Sequence, residues 1–116
     1  MTDKYINVLD FSDDPWGRDE SDNPETSGAA FREQYLVDAF KYNDTVTVDF
    51  SSLQDIPDSA WLGGAFVGLV KKDGFSYKEV FDKLQILPND DFYPKMIFRI
   101  LELAKEEEIR LGVFNG

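Results

Sequence analysis

The feature that most constrains this fold is the run Ala60–Val70, in which 11 consecutive residues are apolar and three are glycine. A segment that is hydrophobic on every side is stable only when other structure covers most of it, so the run belongs near the middle of the molecule. It is too short to span a membrane, which takes about 20 residues. Asp58 or Ser59 can cap its start and Gly74 ends it, so Ala60–Lys72 reads as a helix. Glycine costs about 1 kcal/mol in a helix interior relative to alanine, so Gly63, Gly64 and Gly68 together cost about 3 kcal/mol. Close packing of the helix or a flat surface that a partner approaches would offset that cost. The glycine spacing matches neither a dinucleotide fingerprint nor a phosphate loop, and no Gly-Lys-Ser/Thr follows.

The rest of the chain supplies elements to cover this helix. Thr45–Phe50 alternates as a strand, with Val46, Val48 and Phe50 inward and Thr47 and Asp49 outward. Lys4–Phe11 reads as a first strand, apolar on both faces and so suited to being covered on both. A helix is expected from Gly28 to Tyr42, capped by Thr26 or Ser27, with Phe31, Tyr35, Leu36, Ala39 and Phe40 on one side. Ser76-x-x-Glu79 is a capping box for a short helix, Tyr77–Lys83, and Leu84–Leu87 is a third strand. A long helix from Asp91 to Arg110 carries Phe92, Met96, Ile100 and Leu103 as its apolar stripe, with Glu106, Glu107, Glu108 and Arg110 solvated. This order predicts an α/β sandwich forming a single domain over 1–116, its sheet of three to five strands flanked by about four helices.

Two absences bound the chemistry. The chain has no cysteine and no histidine, which removes disulfides, thiolate metal sites, cysteine nucleophiles and the imidazole of a Ser/His/Asp triad. An enzyme is therefore not expected, nor a cofactor. Twelve Lys+Arg against 23 Asp+Glu leave a net charge of −11, which disfavours direct contact with nucleic acid and favours a basic protein surface. The acids are densest between Asp10 and Glu25, in a polar loop at about 12–27 that holds Asp13, Asp14, Asp19, Glu20 and Asp22 against the single base Arg18. No register there supplies the acids, Gly and Glu of an EF-hand, so no metal is expected. Trp16 stands in this loop between Pro15 and Gly17, where an exposed Trp would serve as an interface anchor. Met1–Lys4 lacks the basic flank and apolar stretch of a signal peptide, so a cytoplasmic protein is expected.

Four segments, in order, resemble the STAS-like domain family, relatives of the sulfate transporter and anti-sigma factor antagonist domain. They are Gly17-Arg18, Ser27-Gly28-x-x-Phe31-Arg32-Glu33, Val46-x-Val48-Asp49-Phe50, and Ser59-x-x-Leu62-x-x-Ala65-Phe66-x-Gly68-Leu69-Val70. Where the family carries an acidic pair between the leucine and the Ala-Phe, this chain has Gly63-Gly64. The resemblance implies a sheet flanked by helices that acts as a protein-docking module. It also implies that phosphorylation of a Ser or Thr at the start of the helix turns docking off, a role Ser59 would carry.

The expected function is a non-enzymatic regulatory interaction module whose partner is a kinase-like regulator or another basic protein. Its contact residues would be Asp55, Asp58, Ser59, Trp61, Gly63, Gly64, Ser27 and Arg32. The rival is an acidic, phage-type inhibitor that occupies a basic site on a partner. Neither involves a membrane, and a homodimer is compatible with both.

Overall fold

The computed structural model describes the backbone of residues 2–55, 57–89 and 92–112, and side chains over the same ranges apart from 103, 104 and 107–112. It is mixed α/β. The elements are β1 (Asp3–Asn7), α1 (Val8–Phe11), α2 (28–42), β2 (Thr45–Asp49), α3 (59–71), α4 (Tyr77–Lys83), β3 (Leu84–Leu87) and α5 (Tyr93–Gly112). The three strands form one open parallel sheet in the order β1-β2-β3, with Ile6, Val48 and Ile86 in register. Parallel neighbours cannot be joined by a tight turn, and α2 and the α3–α4 pair are the crossovers that join them.

The apolar run sits where its composition requires. Trp61, Leu62, Ala65, Phe66 and Leu69 are all fully buried, and α3 touches both α2 and α5. One face of the sheet, carrying Ile6, Val46, Val48, Leu84 and Ile86, packs into the same core. At about 25 cal/mol per Å² of apolar surface, five fully buried side chains of this size contribute on the order of 10 kcal/mol, several times the cost of the glycines.

Local chemistry departs from the expectation in five places. β1 stops at Asn7 rather than Phe11, because the Asn7 side chain accepts a hydrogen bond from Leu9 N at 3.0 Å and caps α1. The opposite sheet face is covered only in part: Tyr5 is 55% exposed and Gln85 is exposed, while Thr47 and Leu87 are half-buried. Asp49 points to the outward face as expected but is buried there, where it accepts hydrogen bonds from Tyr5 Oη and from Ser51 N at 2.8 Å. The buried stripe of α5 is Tyr93, Ile97 and Leu101, one residue out of phase with the expected one, and Phe92 is half-exposed. Tyr93 sets that phase by stacking on Phe50, with centroids 5.2 Å apart and planes at 11°. Leu103 lies outside the described side chains.

The fifth departure is that α2 and α3 are not uniform. Each widens into a π-helical stretch, at Arg32–Leu36 and Gly63–Val67, where Val37 N donates to Arg32 O and Gly68 N to Gly63 O. Such bulges are rare and frequently mark functional sites. No helix among the described residues is long and apolar enough to cross a membrane.

Candidate functional site

The acidic loop is folded by its own hydrogen bonds. Trp16 N donates to Thr26 O at 3.3 Å, which closes the loop at its base. Asn23, buried, donates to Trp16 O at 3.1 Å and to Thr26 Oγ1, and its Oδ1 accepts from Glu25 N and Thr26 N. Gly17 takes φ +86°, in the left-handed region that suits glycine, and its carbonyl accepts from Gly28 N at 2.9 Å. Asp19 turns the tip by accepting from Ser21 Oγ and Ser21 N at 2.6 and 3.0 Å. Those two bonds hold its carboxyl below the usual carboxylate range, helped by the charges of Lys72 and Arg18. Asp13, Asp14, Glu20 and Asp22 face solvent, and Trp16 is 47% exposed among them in sequence. No three acids among the described residues converge as a metal site would need.

The glycines let this loop and two helices meet. A methyl group on Gly64 would lie 2.1 Å from Arg18 O, and one on Gly28 would lie 2.0 Å from Trp61 O. Arg18 O accepts from Ala29 N at 2.9 Å in the same contact. Gly63 is different: a methyl group there would meet nothing within 4 Å. Gly68 makes room for Arg32, whose buried guanidinium donates from Nη1 to Gly64 O at 2.6 Å. Arg32 Nε lies 2.8 Å from Asp73 Oδ2, yet its N–H is not aligned on that oxygen and makes no hydrogen bond.

The expected contact residues therefore divide. Asp55, Asp58, Ser59 and Gly63 are at or near the surface. Asp58 is the N-cap of α3, accepting from Trp61 N at 2.7 Å, and the hydroxyl of Ser59 at the first helical position makes no hydrogen bond among the described residues. Trp61, Gly64, Ser27 and Arg32 are interior. The Trp61 indole donates to Thr26 O at 3.0 Å, and Ser27 caps α2 by accepting from Ala30 N at 3.1 Å. A partner reaching this face meets the first group and not the second.

Between the loop and α3 lies a cavity of about 380 Å³. Ala29, Gly63, Gly64, Val67 and Ile100 form its apolar wall, with Ser59 also on the lining. Its charged lining is Arg18, Arg32, Lys71, Lys72 and Asp19. In the sequence Lys71 and Lys72 mark only the end of a helix. The one signal that could have found them is that they are adjacent cations in a strongly acidic chain.

Comparison of the chain with protein-family models, curated proteins and solved structures returns no match, so the STAS-like likeness rests on the quoted residues alone.

Proposed function

We propose that the chain is a non-enzymatic regulatory docking module of anti-sigma-antagonist type, acting in the cytoplasm on a basic protein partner such as a kinase-like regulator. The observation that carries this reading is Trp16, a large aromatic 47% exposed on a loop whose backbone is already folded. Tryptophan is the residue most enriched among binding hot spots, and a preformed loop loses little conformational freedom on docking. The surrounding acids would steer a basic partner toward it.

The loop and the start of α3 belong to one surface, since Arg18, Asp19 and Ser59 line the same cavity. Ser59 would be the switch. A phosphoryl group there adds about two negative charges beside exposed Asp55 and Asp58, and those charges would have to be desolvated on docking. The second reading, an acidic inhibitor of a basic site, is favoured by the five expected loop acids held on an ordered scaffold.

The test is affinity capture with the tagged chain, identification of the retained protein by mass spectrometry, and titration calorimetry with that partner. Trp16→Ala should raise Kd by about 30-fold, equivalent to about 2 kcal/mol. Ser59→Glu should weaken the same complex. An unchanged Kd for Trp16→Ala refutes docking through the loop. A steep loss of affinity with salt, with Ser59→Glu neutral, favours the inhibitor reading.

A further inference from the structure

The cavity beside α3 has a charge opposite to that of the molecule. Four of the chain's 12 lysines and arginines line it, in a protein of net charge −11. Asp19 is the single acid on the lining, and Asp73 and Glu33 pair with Arg32 from behind. Among the described residues Arg18, Lys71 and Lys72 make no side-chain ion pair, so their charges are left to the cavity. The dipole of α3 accounts for Lys71 and Lys72 at its C-terminal end. It does not account for Arg18 on the loop or for Arg32 on α2, which reach the same space from other elements.

The walls are equally specific. Gly63 leaves its part of the cavity empty, with nothing within 4 Å of where a side chain would begin. Arg32 lines it from behind, its guanidinium bonded to Gly64 O at 2.6 Å and ion-paired with Asp73 at 2.8 Å and Glu33 at 3.7 Å. The two π-helical stretches begin at Arg32 and Gly63, so both backbone irregularities border this cavity. A volume of about 380 Å³ with apolar walls and a few converging charges is the form of a small-ligand site.

We infer that this cavity binds a small organic phosphate, with the phosphomonoester held by Arg18, Lys71 and Lys72 and the organic body lying against Gly63, Val67 and Ile100. Guanidinium groups match a tetrahedral oxyanion with paired N–H donors, and lysine adds point charge. The site goes beyond the docking reading and does not depend on it, because none of its cations is needed for contact through Trp16.

The experiment is a titration of the ¹⁵N-labelled full chain with phenyl phosphate, followed by amide shifts. Saturable shifts are expected at Ala29, Gly63, Gly64, Val67 and Gly68, with Kd below about 1 mM. Phenol and inorganic phosphate, each supplying half of the recognition, should bind more weakly. Lys71→Gln/Lys72→Gln changes two exposed side chains, so the fold survives it, and it should raise Kd about tenfold. Gly63→Leu should abolish binding by filling the space while leaving the charges in place. No saturable shift up to about 10 mM phenyl phosphate, or wild-type binding by both variants, overturns the assignment. A phosphoserine peptide binding more tightly than phenyl phosphate would point to a protein-borne phosphate and overturn the small-molecule part.

Discussion

Gly63 and Gly64 are adjacent in a helix, and replacing each with alanine should move stability in opposite directions. On helix propensity alone either change gains up to about 1 kcal/mol. At Gly63 nothing opposes that gain, because the added methyl group meets no atom within 4 Å. At Gly64 the methyl group would lie 2.1 Å from Arg18 O and 3.2 Å from Ala29 N. Carbon and carbonyl oxygen meet at about 3.3 Å, so the loop would have to retreat by about 1.2 Å from that 2.1 Å position. Both opposing atoms are backbone, and no rotamer change relieves them. Overpacking of this kind costs about 1–3 kcal/mol. Strain in the Ala29 N to Arg18 O bond, now 2.9 Å, adds on the order of 1 kcal/mol. The net expectation is a loss of about 2 kcal/mol for Gly64→Ala and a gain of up to about 1 kcal/mol for Gly63→Ala. The gap of about 3 kcal/mol corresponds to about 1–3 M in the urea midpoint, or on the order of 10 °C in Tm. Urea unfolding of both variants at constant m measures it. Equal shifts in the same direction would refute the close approach of the loop to α3, and with it the role assigned to Gly64.

Two further outcomes follow from the same contacts. Asp58→Ala removes the cap of α3 and should cost about 1 kcal/mol, read from the urea midpoint, while Ser59→Ala at the neighbouring position should be nearly neutral. At Asp49, burial pushes the carboxyl up, but hydrogen bonds from Ser51 and Tyr5 outweigh it and hold the folded-state pKa below the ordinary value. A lowered folded-state pKa contributes stability that is complete above the unfolded value and lost as pH falls through the folded one, so stability should decline below about pH 4. Tyr5→Phe should raise the Asp49 pKa, followed by carboxyl ¹³C shifts against pH, and should reduce that decline.

Much of the architecture was legible in the sequence. The alternation at Val46, Val48 and Phe50 marked β2, and the 3.6-residue spacing from Phe31 to Phe40 marked α2. Both signals are local consequences of backbone geometry, which is why they survive without tertiary information. The caps followed for the same reason, to within one residue at Ser27 and Asp58: these and Ser76 each accept from the N–H three residues on. The phase of α5 was not legible. Phe92 and Tyr93 are comparably apolar neighbours, and only the ring of Phe50 opposite selects Tyr93 for burial.

The candidate site divides along the same line. The sequence alone determined that Ala60–Val70 is central, that thiol and imidazole chemistry are absent, and that Trp16 and the acids share a loop. Only the tertiary structure decided that Gly63 opens onto a cavity while Gly64 is closed against Arg18. It also brought Arg18, Arg32, Lys71 and Lys72, which lie on three separate segments, to one space. Periodicity reports which side of an element is apolar and carries no information about what stands across from it. That pairing is settled by how the helices and loop pack over the sheet.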